Sequence, residues 1–197
     1  MDYAQTTIDA ELFVRRLFDT FSDKEFPYHN LDHTVKVVGH VREIGTFYAL
    51  PEEDLFILQV AAWFHDIGHL FGPMEEHEEN GVHIMTNFFS GMSMPSSILP
   101  AISGCILATK WPVHPHTLNE EILCDADTYH FGTEYFTKTD PAVKQEMELR
   151  LSTKIPDWHK KSLWLLQNHH FFTSYCQQKL EPGKQKNIAW LQSLIES

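Results

Sequence analysis

The sequence lacks any apolar stretch close to the roughly 20 residues of a membrane span, so we expect no membrane-embedded segment. It is also poor in positive charge, with 15 lysines and arginines against 27 aspartates and glutamates and a formal net charge of −12. Because nucleic acids and anionic membrane surfaces repel such a protein, both are excluded as expected partners. A phosphorylated substrate would need its charge offset locally, by metal ions or a few cations.

Cysteine is scarce, and this excludes a disulfide-stapled scaffold. Cys105, Cys124 and Cys176 are the three cysteines of the chain, an odd number without a paired pattern. We interpret them as reduced thiols in the core of a cytoplasmic protein. Histidine is abundant by contrast, with 13 residues, and the chemistry should be sought among them.

Period-two alternation of apolar residues is also missing, which excludes an extended sheet. No repeat, low-complexity tract or linker divides the chain, so residues 1–197 are predicted to form a single domain. Helical spacing of apolar residues predicts an all-α fold, a compact bundle of several helices. The predicted helices cover residues 8–21, 31–50, 51–66, 75–89, 95–110, 117–131, 141–151 and 184–195, and a further helix starts at Asp157.

The most informative segment is His65-Asp66, which ends the apolar run 55–64. Such a run predicts a helix that is buried on all sides. An imidazole and a carboxylate at the end of a buried helix are costly unless another group pairs with them, and a bound metal ion is one solution. The alternative is a hydrogen-bonded pair at a frayed helix end.

Two further segments place ligand-type side chains on apolar helix faces. His33 shares the predicted inward face of Val37 and Val41. Asp125 and Asp127 follow a second apolar segment, and because they point about 200° apart on a helix, one of the two is expected to face a site. Together with His65 and Asp66 they supply two imidazoles and two carboxylates. This mixed set suits one or two divalent cations among Mn, Mg, Fe, Co, Ni and Zn.

These residues lie in a longer series of motifs. Residues 28–33 read Y-H-N-L-D-H, residues 65–69 read H-D-I-G-H, and weaker matches continue through 77–81, 108–109 and 126–127. Over roughly residues 25–135 the chain resembles the HD superfamily of metal-dependent phosphohydrolases. The local sequences are similar to small bacterial HD hydrolases and to the catalytic domains of cyclic nucleotide phosphodiesterases.

The resemblance implies a role for each matching position. The implied metal ligands are His33, His65, Asp66 and Asp127. Asp127 is favoured over Asp125 because the family's last aspartate directly follows a small residue, here Ala126. Asp66 is also expected to act in catalysis by bridging to a second cation. His29 matches the general acid that protonates the leaving oxygen, and the alternative is an exposed residue before the helix.

Weaker matches surround this set. His69 is implied to lie behind the ligands or to face a phosphate. Asp125 remains a candidate for a position behind the ligands. His77, Glu78 and Glu79 are candidates for a second metal or for contacts through water, against the alternative of a solvated helix start. Lys110 is a candidate phosphate-binding residue, against the alternative of a charge that offsets a helix dipole.

The expected reaction is metal-dependent hydrolysis of a phosphoester in a nucleotide or another small phosphorylated metabolite. The chain departs from the phosphodiesterases in one respect: the region that should carry Q-G-D-x-E reads H-F-F-T-S-Y-C-Q-Q over residues 170–178. Nothing in the sequence therefore selects cyclic nucleotides. An HD-fold di-iron oxygenase and a nucleotide-binding sensor without turnover remain alternatives. The oligomeric state stays open.

Overall fold

A computed structural model describes residues 1–21 and 26–196 of the chain. In these residues the fold is all-α, as predicted, with short 3₁₀ turns and no strand. The helices are α1 (Tyr3–Phe21), α2 (Leu31–Phe47), α3 (Glu52–Phe64), α4 (His77–Phe88), α5 (Ile98–Ala108), α6 (Leu118–Asp127), α7 (Phe136–Arg150), α8 (Trp158–Asn168) and α9 (Ser174–Glu196). None of the described helices has the length and apolarity to cross a bilayer.

The described chain divides into two compact units. Residues 1–21 and 29–127 form the first unit, which contains α1 to α6. Residues 26–28 and 128–196 form the second, which contains α7 to α9. The expectation that residues 1–197 form one domain stays a prediction.

Helix α3 is the centre of the first unit, and α1, α2, α5 and α6 pack against it. Eight of its residues are buried, among them Trp63 and Phe64. The predicted burial on all sides is therefore confirmed, and it follows from the almost unbroken apolar sequence. The three cysteines of the chain are also buried, and they form no disulfide.

The predicted starts of three helices were wrong. Helix α7 begins at Phe136 and α9 at Ser174, so Pro141 and Pro182 lie inside helices that were expected to start later. A proline removes one backbone hydrogen bond. In α9 the buried residues Cys176 and Leu180 precede Pro182, and their packing offsets that loss. The start of α3 was instead predicted one residue too early, because Pro51 is the N-cap of α3 and not its first helical residue.

The second unit is organised around a 3₁₀ turn, Tyr129–Gly132, which packs against α9. The Asn187 side-chain amide donates hydrogen bonds to the carbonyl oxygens of Phe131 (2.8 Å) and Thr133 (2.9 Å). A Cβ on Gly132 would lie 2.4 Å from the Cβ of Leu180. The absence of a side chain at Gly132 therefore allows the turn to approach the helix this closely.

Candidate metal centre

The His65-Asp66 pair lies where α3 stops. The helix ends at Phe64, His65 is its C-cap, and a 3₁₀ turn, Ile67–Leu70, follows directly. Both side chains are buried, with relative exposures of 0% for His65 and 4% for Asp66. The predicted continuation of α3 to Asp66 was therefore slightly too long, and the change of helix type presents both side chains to the same space.

The other two predicted ligands, His33 and Asp127, lie at the ends of two other helices. The Asn30 side chain caps α2, and its Oδ1 accepts a hydrogen bond from the backbone N–H of His33 at 3.2 Å. This cap fixes the first turn of α2, which carries the buried His33 ring. Asp127 is the last residue of α6.

The four side chains predicted as metal ligands form one cluster. One potential ligand atom from each of His33, His65, Asp66 and Asp127 lies within 4.8 Å of the others. Nε2 of His33 is 3.1 Å from both Asp66 Oδ2 and Asp127 Oδ1. Nε2 of His65 is 3.1 Å from Asp66 Oδ2 and 3.6 Å from Asp127 Oδ1.

The cluster fits a cation by distance and by composition. At bond lengths of about 2.1 Å, adjacent ligands of an octahedral ion lie about 3.0 Å apart and those of a tetrahedral ion about 3.4 Å apart. The observed separations of 3.1–3.6 Å match these edges. In the described part of the chain, the buried atoms His65 Nε2 and Asp66 Oδ2 have no hydrogen bond of good geometry. Ligation of a cation would satisfy both atoms.

The tautomer of His65 is fixed in the form that a metal ligand requires. Its Nδ1–H donates a hydrogen bond to the carbonyl oxygen of Ala62 at 2.8 Å. The lone pair of a neutral ring is then on Nε2, which faces the cluster. Metal-ligating histidines commonly show this arrangement, with the second ring nitrogen bonded to a backbone carbonyl.

The two carboxylates make the cluster a site that favours positive charge. Burial opposes protonation of His33, but the adjacent carboxylates of Asp127 and Asp66 outweigh it and raise the pKa of His33 to about 8. The same carboxylates outweigh burial at His65 and raise its pKa well above the usual range. Burial favours the neutral form of Asp66, but the imidazoles of His65 and His33 hold its pKa well below the usual range. A bound cation would take the place of these protons.

More imidazoles surround the other oxygen of Asp66. His29, Asp66 and His69 form a second group with potential ligand atoms within 4.8 Å of one another. Nε2 of His69 is 3.9 Å from Asp66 Oδ1, and Nε2 of His77 is 3.7 Å from the same oxygen. The rings of His69 and His77 stack, with centroids 3.8 Å apart. The ring of His29 lies 4.3 Å from that of His69 and 6.0 Å from that of His33.

The two glutamates that follow His77 have different surroundings. Glu78 is buried, and its Oε2 lies 3.3 Å from Nδ1 of His77. Glu79 is half-buried and forms an ion pair with Lys110. Asp125 belongs to neither of the two groups above, and the Lys110 ammonium group is paired with Glu79. The proposed phosphate-binding role of Lys110 therefore stays a prediction, as do the ligand assignments.

Sequence reasoning missed how closely α4 approaches the His65-Asp66 segment. A Cβ on Gly68 would lie 2.0 Å from the carbonyl oxygen of His77, and a Cβ on Gly81 would lie 2.6 Å from that of Phe64. These two glycines allow direct backbone contact, which brings His77 to Asp66. In the sequence, Gly81 follows His77 by one helical turn. This glycine is the feature that would have indicated a packed helix face instead of a solvent-exposed one.

Comparison with known proteins identifies one family. A family model described as the HD domain matches residues 30–132, about half of the chain. The match includes the four residues of the first cluster, together with His69 and His77. Neither the curated proteins nor the solved structures that were searched give a match.

Proposed function

The chain belongs to the HD-domain family, and from this premise we propose that it is a metal-dependent phosphohydrolase acting on a small phosphorylated metabolite such as a nucleotide. HD domains generally bind divalent metals and hydrolyse phosphoesters. The observation that supports the proposal most directly is the buried cluster of two imidazoles and two carboxylates at three helix ends. Its composition fits a divalent cation that keeps positions for water and substrate.

The four residues of the first cluster would hold the cation, and the cation would supply Lewis acidity for water activation and phosphoryl polarisation. The Ala62 carbonyl keeps Nε2 of His65 directed at the cluster through its bond to Nδ1. Asp66 presents Oδ2 to His33 and His65 and Oδ1 to the neighbouring histidines. Asp66 thus lies between the other residues that would hold the cation and the neighbouring histidines, among them His29.

His29 is the proposed proton donor to the leaving oxygen. Its ring is partly exposed, and it lies beside both His33 and His69. A protonated imidazole in this position can donate a proton to an alkoxide. Proton transfer from His29 would be required for substrates whose leaving group is a strong base.

The proposal is tested by screening phosphomonoesters and phosphodiesters with the purified chain, supplied in turn with Mn²⁺, Mg²⁺, Co²⁺ and Ni²⁺. The expected result is phosphate or phosphomonoester release that requires a metal. The Asp127→Asn variant, purified identically, controls for contaminating phosphatases, and we expect it to be inactive. Saturable nucleotide binding without turnover under every metal would contradict the proposal and favour a sensor. Two bound irons with oxygen consumption would favour an oxygenase.

A further inference from the structure

We propose that Glu146, supported by Arg150, is a positioning residue for His29. It holds the peptide group that leads into His29 and so places the imidazole for proton donation. The inference rests on the proposed function in taking His29 as the proton donor. It assigns a role to an ion pair of α7 that lies far from His29 in the sequence.

The first argument is the contact that Glu146 makes. Its Oε2 accepts a hydrogen bond from the backbone N–H of Tyr28 at 2.9 Å, across 118 residues of sequence. Both residues belong to the second unit. Glu146 is 1% exposed, and a buried carboxylate is costly unless it is paired and hydrogen-bonded. Because hydrogen bonds to an ionised acceptor are about twice as strong as neutral ones, this contact fixes the Tyr28 peptide group.

The second argument is that the groups around Glu146 hold the same segment. Nε of Arg150, one turn later in α7, is 3.2 Å from Oε1 of Glu146. The guanidinium carbon of Arg150 lies 4.4 Å from the centroid of the Phe26 ring, which is a cation–π contact. The Tyr28 hydroxyl is 3.1 Å from Nδ1 of His130. The side chain of Phe26 and both the backbone and the side chain of Tyr28 are therefore held.

The third argument is that His29 lies between two anchored residues. The Tyr28 peptide group precedes it. Asn30 follows it and caps α2, where its Oδ1 accepts a hydrogen bond from the backbone N–H of His33 at 3.2 Å. The backbone of His29 is thus restrained on both sides, and its ring lies 4.3 Å from that of His69. A displacement of about 1 Å can lower a rate by about 100-fold, so loss of the anchor at Tyr28 should impair proton donation.

Helix α7 offers a matched control in Glu148. Its carboxylate also accepts a hydrogen bond from a backbone N–H, that of Ile155 at 3.0 Å, and it pairs with Lys154 at 2.7 Å. This hydrogen bond fixes the segment that follows α7 instead of the segment that leads into His29. Glu148→Ala therefore removes the same type of bond from the same helix.

The first measurement uses nuclear magnetic resonance on the full chain without substrate, with Mg²⁺ present. In Glu146→Ala the Tyr28 amide should exchange its hydrogen about 10–100-fold faster, the factor expected for loss of a hydrogen bond to a charged group. The ring resonances of His29, which depend on the neighbouring ring of His69, should shift. Both observables should be unchanged in Glu148→Ala.

The second measurement compares kcat for substrates with poor and good leaving groups. Glu146→Ala should lower kcat by about 10–100-fold for a poor leaving group, and far less for a p-nitrophenyl phosphodiester. The KM and the metal content should not change, because Glu146 acts only through His29. Glu148→Ala should leave the ratio of the two kcat values unchanged.

A milder variant, Glu146→Gln, carries the test if Glu146→Ala does not fold. Its amide oxygen can still accept the Tyr28 N–H, through a weaker uncharged bond, so the Tyr28 amide should exchange faster than in Glu148→Gln. An unchanged Tyr28 amide, unchanged His29 resonances, or equal losses on both substrate classes would overturn the inference. If the unaltered chain hydrolyses no phosphoester, the proposed function fails, and the resonance measurements alone decide whether Glu146 positions His29.

Discussion

Nε2 of His33 lies 3.1 Å from Oδ1 of Asp127, although one residue lies in the first turn of α2 and the other ends α6. This contact distinguishes the two aspartates that helix periodicity left open. Asp127 reaches the histidines, whereas Asp125 is fully buried and lies outside the cluster. The two positions therefore offer a matched pair of variants within one turn of helix.

Asp127→Asn should lose the bound metal, and Asp125→Asn should retain it. The amide at position 127 keeps the size of the side chain but removes the negative charge that attracts a cation. Metal content after dialysis, determined for both variants and the unaltered chain, checks the prediction. Equal retention in both variants would remove Asp127 from the ligand set.

Asp66→Ala should abolish both metal retention and hydrolysis while the protein remains helical. The substitution removes a ligand, but the apolar faces that hold α3 in place are unchanged. Circular dichroism reports the helical content, and metal analysis and a phosphate-release assay report the site. Normal metal content with full activity would contradict the assignment. The exposed His83→Ala variant serves as the control and should resemble the unaltered chain in all three measurements.

Much of this site was predictable from the sequence, and the physical reason is local. His65-Asp66 follows an apolar run whose burial is dictated by composition, and His33 shares a helix face with buried valines. The place of His77 was not predictable in the same way. It depends on backbone contacts between segments at Gly68 and Gly81, and contacts between segments leave little trace in helical periodicity. The helix starts predicted at Pro141 and Lys184 were too late, because α7 and α9 continue through a proline where packing offsets the lost hydrogen bond.

A pair of glycines tests the role of close backbone approach. A Cβ on Gly81 would lie 2.6 Å from the carbonyl oxygen of Phe64, whereas a Cβ on Gly39 of α2 would meet nothing within 4 Å. Gly81→Ala should therefore lower the free energy of unfolding by about 1–3 kcal/mol. Gly39→Ala should raise it by about 0.5–1 kcal/mol, because alanine loses less entropy in a helix. Urea unfolding at a fixed metal concentration measures both, and a neutral Gly81→Ala would show that α4 tolerates displacement.

Removal of the metal should make stability fall between about pH 6.5 and 8. In the metal-free protein the pKa of His33 is raised to about 8 from 6.5 by Asp127 and Asp66, against the effect of burial. A raised pKa means that folding favours the protonated ring, so its contribution is complete below 6.5 and is lost as the pH rises through 8. This loss is on the order of 1–2 kcal/mol.

The measurement is urea unfolding of chelated protein across this pH range. With saturating Co²⁺ the fall should disappear, because the cation binds the deprotonated ring and replaces the lost charge. His33→Gln should show a smaller fall in the chelated protein. Stability that rises with pH in the chelated protein would mean that the carboxylates do not hold a proton on His33.

His29 gives the most specific test of mechanism, because its ring lies beside the predicted ligand His33 and beside His69, and its effect depends on the substrate. If His29 donates a proton, His29→Ala should slow substrates with poor leaving groups by roughly 10²–10⁴-fold. A p-nitrophenyl phosphodiester has a leaving group that needs little protonation, so its hydrolysis should change far less. The ratio of kcat values for the two substrate classes, with and without the substitution, measures the effect.

The metal content of His29→Ala separates proton donation from ligation, since the loss of a proton donor leaves the bound metal in place. The metal content should not change, and the difference between substrates should persist at saturating metal. Equal losses on the two substrate classes would assign His29 to binding or structure. Loss of metal would make His29 a ligand, in the group that it forms with Asp66 and His69, and the proton donor would then have to be sought elsewhere.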